Sequence, residues 1–213
     1  MSVDYSLYLV TDRSLSSGRS NLDIVKSAVE GGVTVVQLRE KSAGTREFLH
    51  EALSVADYCS KNNVSLIIND RIDIALAVSA DGVHLGQDDM PIEYARRIVG
   101  KEMIIGISVF NETEAVAAQK AGADYLGVSP LYTTPTKSEL IEAVGLEGLA
   151  RIRQAVAVPL VAIGSIKSHN AADVIKAGAD GIAVVSAIVS DPDPKQAASD
   201  LVTVIRKARE EIS

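Results

Sequence analysis

The chain has no tryptophan, a single cysteine and no dense run of basic residues, and each shortage removes a class of function. One thiol, Cys59, cannot close an internal disulfide or build a multi-thiolate metal site. Within its helical pattern it reads as a small buried hydrophobe. A formal net charge of −7 and few aromatics argue against nucleic acid as a partner. No apolar run approaches the roughly 20 residues that cross a bilayer, so a soluble globule with no membrane partner is expected. The first residues carry neither the basic region nor the long apolar stretch of a signal peptide, which favours the cytoplasm. No histidine cluster suggests zinc. His50 and His169 read as surface residues, and His84 as a buried, hydrogen-bonded one.

What is present is an alternation of short apolar strands with helical patterns, uninterrupted by a linker or low-complexity stretch. Strands are expected near 7–11, 33–38, 66–69, 82–85, 104–108, 125–128, 160–163 and 181–184. Helical segments include 22–29, 46–61, 92–99, 112–120, 146–156 and 170–176. An internal repeat runs through them: Ala80-Asp81-Gly82-Val83, Ala123-Asp124-Tyr125-Leu126 and Ala179-Asp180-Gly181-Ile182, with Gly31-Gly32-Val33 as a fourth copy. Gly122 and Gly178 suit left-handed helix ends before the turn into the next strand. Odd strands also resemble one another, Leu9-Val10-Thr11-Asp12 beside Ile67-Ile68-Asn69-Asp70. Eight β/α units in 213 residues predict an α/β fold, one TIM (β/α)8 barrel over 1–213. A doubly wound open sheet is the alternative, weakened by the lack of a dinucleotide-binding glycine pattern after the first strand.

In such a barrel, chemistry sits where the strands end. The second strand ends in Gln37, Arg39 and Lys41, the third in Asn69 and Asp70, and the fourth in Gln87, Asp88 and Asp89. Ser108 closes the fifth. Arg39 offers a planar fork to phosphate oxygens and Lys41 a mobile point charge. Asp70 and Asp89 could supply the one or two carboxylates that Mg²⁺ takes from protein, water and phosphate filling its octahedron. The alternative is that both are helix N-caps. The segment from Pro130 to about Gly145 is long for a barrel loop and carries three threonines and Lys137, which suits a lid that donates to phosphate. Gly164-Ser165 and Ser186-Ala187, each followed by a helical pattern, suit backbone binding of a second phosphate.

These residues resemble the thiamine-phosphate synthase family. The likeness runs from about Leu7 to Ile188 and rests on Gln37-Leu-Arg-Glu-Lys41, Ile68-Asn-Asp70, Gly82–Gln87, Gly106-Ile-Ser108, Gly127–Pro130 and Thr134-Pro-Thr-Lys137. The resemblance implies a TIM barrel that joins hydroxymethylpyrimidine pyrophosphate to hydroxyethylthiazole phosphate and releases pyrophosphate. Its substrates are small molecules and its cofactor is Mg²⁺. It implies pyrophosphate contacts at Arg39, Lys41, Asn69 and Lys137, with Gln37 near the pyrimidine and Ser108 beside pyrimidine and pyrophosphate. Asp70 and Asp89 become metal carboxylates, and Thr134 and Thr136 hold the lid. The thiazole phosphate falls to Gly164, Val185 and Ser186. Family members often carry Gly-Gly where this chain has Gly164-Ser165. Two rivals are a thiazole tautomerase on the same barrel and a non-catalytic phosphate-ligand binder. The oligomeric state, a homo-oligomer included, is left open.

Overall fold

A computed structural model describes residues 3–133 and 143–212. Eight parallel strands close into a barrel in chain order. They are β1 (Leu7–Val10), β2 (Val35–Leu38), β3 (Ser65–Asn69), β4 (Gly82–Leu85), β5 (Ile104–Val109), β6 (Tyr125–Val128), β7 (Leu160–Ile163) and β8 (Gly181–Val184). Around them lie α1 (Asn21–Glu30), α2 (Thr45–Lys61), α3 (Ile72–Ala77), α4 (Ile92–Val99), α5 (Glu112–Lys120), α6 (Gly145–Ala155), α7 (Ala171–Lys176), α8 (Ser186–Val189) and α9 (Pro194–Glu210). The expected strand positions hold to within two residues, and the ring rules out the open sheet, because β8 pairs with β1.

Both faces of each strand are covered, which is why the strands are apolar throughout rather than alternating. One face packs on the helices in a core that includes Leu9, Val36, Ile68, Phe48 and Cys59. The other fills the barrel with Tyr8, Val35, Ile67, Tyr125 and Val161. Burial pushes the Cys59 thiol up to about 12, so it packs as a hydrophobe and does not act as a nucleophile. Helix starts follow from local side chains. Ser20, Asn111 and Asp193 each accept a backbone N–H three residues on, with Pro194 opening α9.

The sequence repeat has a structural counterpart at the N-terminal end of the barrel. Asp81, just before β4, accepts the N–H of Leu66 in β3 at 2.7 Å. Asp124 before β6 does the same for Ile105 in β5 at 2.7 Å, and Asp180 before β8 for Leu160 in β7 at 2.8 Å. At the fourth place Thr34 substitutes its hydroxyl, accepting from Leu7 N at 3.2 Å and donating to Leu7 O at 3.0 Å. Two residues ahead of each clamp the chain turns through positive φ: Gly32 at 103°, Ser79 at 53°, Gly122 at 95° and Gly178 at 105°. Three are glycines, as the left-handed turn favours.

Candidate active site

The C-terminal rim gathers the charged strand ends. Arg39 donates through one guanidinium nitrogen to Asp12 Oδ2 at 3.1 Å, and its backbone N–H is held by the buried Thr11 hydroxyl at 3.0 Å. Lys41 reaches Asp70 Oδ2 at 2.5 Å. Glu40, between them, turns to Arg13 with its side chain almost covered, and that burial holds its carboxyl above the usual range.

Asp70 stands immediately after β3 at φ 60°, a left-handed conformation uncommon for a residue with a side chain. Its carboxyl titrates above the usual range. Burial is the main cause, Asp89 alongside pushes the same way, and Lys41 pulls back. Asp89 folds back to accept Gly86 N–H at 2.7 Å. Neither carboxylate caps a helix: α3 is preceded by Arg71 and α4 by Pro91, without a side-chain capping bond at either. The capping alternative therefore fails for both.

The donor chemistry fits a hard divalent cation. Two carboxylates crowd each other, with Lys41 offsetting Asp70, and among the described residues no three metal-binding side chains converge. A cation here would need water or phosphate oxygens to complete its shell, as Mg²⁺ does.

Inside the rim lies a hydrogen-bonded layer. Gln37, 6% exposed, donates from Nε2 to the Tyr8 hydroxyl at 2.8 Å. Tyr8 meets the Tyr125 hydroxyl at 2.8 Å, Tyr125 meets His84 Nδ1 at 2.8 Å, and His84 Nε2 meets Ser108 Oγ at 2.9 Å. Burial lowers the His84 pKa to about 4, so the ring is neutral near pH 7. Gln87 Nε2 bonds the Ser108 carbonyl at 2.6 Å. Asn69, 7% exposed, ends β3 beside this layer, its backbone paired in register with His84.

On the far side, Ser186 starts α8 directly after Val185. Arg19 fastens that short helix from behind, donating to the carbonyls of Val189 and Asp191 at 2.7 Å each. Gly164 also serves the fold. A Cβ there would lie 2.8 Å from Leu131 N and its φ is 124°, so glycine is needed first for close packing of the chain itself. Ser165 follows at φ 51° with its hydroxyl on the Thr133 carbonyl at 3.1 Å, and α7 begins only at Ala171, not immediately after the pair. Thr134, Thr136 and Lys137, with most of the expected lid, lie outside the described residues.

Sequence reasoning brought Gln37, Arg39, Lys41, Asn69, Asp70, Asp89 and Ser108 to this end of the barrel, and the fold places all of them there. It missed Tyr8 and Tyr125, whose hydroxyls look like ordinary core residues on apolar strands. It also missed Asp12 as the partner of Arg39. The likeness of Thr11-Asp12 to Asn69-Asp70 was the available signal.

Comparison with known proteins agrees with this geometry. Residues 7–188 match the thiamine monophosphate synthase family. The thiamine-phosphate synthase of Chloroflexus aurantiacus is 52% identical over 98% of this chain and 96% of its own. That of Syntrophomonas wolfei is 54% identical over 97% of this chain and 96% of its own. The solved thiamine phosphate pyrophosphorylase from Pyrococcus furiosus superposes with a TM-score of 0.89 at 40% identity, covering 97% of this chain and 98% of that one. Among the described residues no helix is long and apolar enough to cross a membrane. A barrel in chain order, a rim of paired cations and carboxylates, and relatives this similar along nearly their whole length converge on one conclusion: the chain belongs to the thiamine monophosphate synthase family and is a transferase.

Proposed function

We propose that this protein joins hydroxymethylpyrimidine pyrophosphate to hydroxyethylthiazole phosphate, forming thiamine phosphate and releasing pyrophosphate. The observation that carries the reading is the crowded pair Asp70 and Asp89 beside Lys41, with Arg39 on the adjoining strand end. A bare carboxylate pair would repel a pyrophosphate; with a divalent cation between them it becomes a receptor for one. Asp70 and Asp89 would hold Mg²⁺, which would supply charge neutralisation at the pyrophosphate.

The remaining work falls to the chain's own side chains. Arg39, kept in place by Asp12 through one nitrogen, would present the rest of its guanidinium to phosphate oxygens, and Lys41 adds a mobile charge. Lys137 would add another. Charge on the leaving pyrophosphate grows as the methylene C–O bond breaks, so these cations act most strongly in the transition state. The bond's electron pair leaves with pyrophosphate, and the pyrimidine amino group stabilises the resulting carbocation. The thiazole nitrogen then donates its lone pair to form the new C–N bond. No proton need be removed in that step, in keeping with a site whose histidine is buried and neutral. Backbone around Ser186, at the start of α8, would seat the thiazole phosphate.

Incubating the purified protein with both precursors, with Mg²⁺ and after chelation, tests the reading. Thiamine phosphate and pyrophosphate should appear together and only with Mg²⁺ present. No coupling under any metal condition, or isomerisation of the thiazole alone, would overturn it.

A further inference from the structure

The layer beneath the rim is a hydrogen-bonded chain of side chains: Gln37, Tyr8, Tyr125, His84 and Ser108, each link between 2.8 and 2.9 Å. It crosses from β2 to β1, β6, β4 and β5 and both ends reach residues assigned above to the substrate. The barrel is built around it. A Cβ on Gly106 would lie 2.1 Å from Tyr125 Cζ, and one on Gly127 would lie 2.9 Å from His84 Cε1. Glycine at these two strand positions gives the two rings their space. Tyr5 packs on Tyr125 at 4.8 Å between ring centres and holds it from below.

We infer that this chain is polarised in one direction by the Gln37 amide, that it fixes His84 as the Nε2–H tautomer, and that it makes Ser108 an obligate hydrogen-bond donor to the pyrimidine substrate. An amide NH₂ only donates, so the Tyr8 oxygen accepts from Gln37. Tyr8 has one hydroxyl hydrogen and Tyr125 as its next neighbour, so it donates there. Tyr125 must then donate onward to His84 Nδ1. A neutral imidazole that accepts at one nitrogen carries its proton on the other. Nε2–H therefore donates to Ser108 Oγ, and the serine's own hydrogen is left for an acceptor outside the chain. At the other end the Gln37 carbonyl oxygen is left as an acceptor. One acceptor and one donor suit an aminopyrimidine, which carries an N–H donor and ring-nitrogen acceptors. Tyr8, Tyr125 and His84 are thus positioning residues that act through Ser108. The substrate half of the inference rests on the function proposed above; the polarity does not.

Nitrogen-15 NMR of histidine-labelled protein without substrates reads the polarity directly. The His84 signals are identified by their loss in His84→Gln, and the exposed His50 and His169 serve as internal references. The expected result is a proton on Nε2 in the wild-type protein. Tyr125→Phe keeps the ring but removes the donor to Nδ1, so the tautomer preference should weaken. In the same variant kcat/KM for the pyrimidine should fall by about 10-fold, the scale of one mis-set hydrogen bond to a charged or polar partner. Its thiazole KM should stay unchanged. A wild-type proton on Nδ1 means the chain runs the opposite way and overturns the inference without any variant. An unchanged tautomer and unchanged kcat/KM in Tyr125→Phe would overturn the positioning role. If Nε2 carries the proton yet the wild-type protein couples no precursors, the proposed function and the substrate half fall while the polarity stands.

Discussion

The two ends of the barrel use the same residue type in opposite ways. Where the strands begin, Asp81, Asp124 and Asp180 each take a backbone N–H of the neighbouring strand, in one repeated geometry. Where the strands finish, Asp70 and Asp89 lie against each other, with Lys41 paired to Asp70. A carboxylate bound to the backbone of a second strand is satisfied by the fold and asks for nothing further. Two carboxylates side by side keep a mutual repulsion that Lys41 on Asp70 and the Gly86 N–H on Asp89 only partly offset. The difference separates aspartates that tie one strand to the next from a pair crowded together at the rim, and it is invisible to residue type alone.

The sharpest way to break that comparison is at the rim. Asp70→Asn and Asp89→Asn keep shape while removing a charged oxygen. Turnover should fall by about 100-fold or more, as when a preorganised electrostatic contact is lost. The Mg²⁺ concentration needed for half-maximal activity should rise in both. Thermal unfolding should hardly move, because each change also relieves repulsion within the pair. A large loss of Tm with unaltered Mg²⁺ dependence would put these residues with the structural group instead.

The middle layer should show itself through pH. His84 is held neutral with a pKa of about 4 against an ordinary value of 6.5. Between those values the unfolded chain binds the proton and the folded chain does not, so stability is full above about pH 6.5 and declines as pH falls toward 4. One such proton contributes at most about 1.4 kcal/mol per pH unit across that window. Denaturant titrations at pH 7 and pH 5 should give a smaller difference for His84→Gln than for wild type. Equal slopes would mean that His84 is not the group responsible.

Smaller effects are expected at the strand starts, all in stability and none in rate. Asp180→Ala strands the Leu160 N–H and removes the partner of one Arg153 nitrogen, and should cost about 1–2 kcal/mol for one charge-assisted hydrogen bond in a half-exposed setting. Thr34→Val removes a neutral hydroxyl bridge and should cost about 1 kcal/mol or less. Both variants should keep wild-type kcat. A rate loss in either would contradict the division between the two ends.

Much of this was legible in the sequence, and for physical reasons. Strands buried on both faces must be apolar, so the polar residues that interrupt them marked their ends, and Gln37, Arg39, Lys41, Asp70 and Asp89 stood out. The repeat at Asp81, Asp124 and Asp180 was visible as a pattern. Its meaning was not, because a clamp is defined by the strand it reaches, and that partner is set only by closure. Tyr8 and Tyr125 were hidden for the same reason: 117 positions apart, they meet only across the closed barrel. Gly164 and Ser165 read as a phosphate loop, whereas the fold shows that the glycine is also required by the backbone of residues 130–131.

The four clamps also divide the molecule. Each ties an odd strand to the loop before the next even one, so β1 goes with β2, β3 with β4, β5 with β6, and β7 with β8. Between these couples run the strand ladder, helix packing and exposed ion pairs such as Arg96 with Asp124. A chain severed at Gly100, between α4 and β5, therefore yields two fragments with every clamp intact inside its own half. Each fragment would carry a finished set of local ties and one unsatisfied sheet edge on either side. Such pieces are suited to reassemble with each other: the first carries Arg39, Lys41, Asp70 and Asp89, the second Ser108 and Ser186, and the rim as a whole needs both halves.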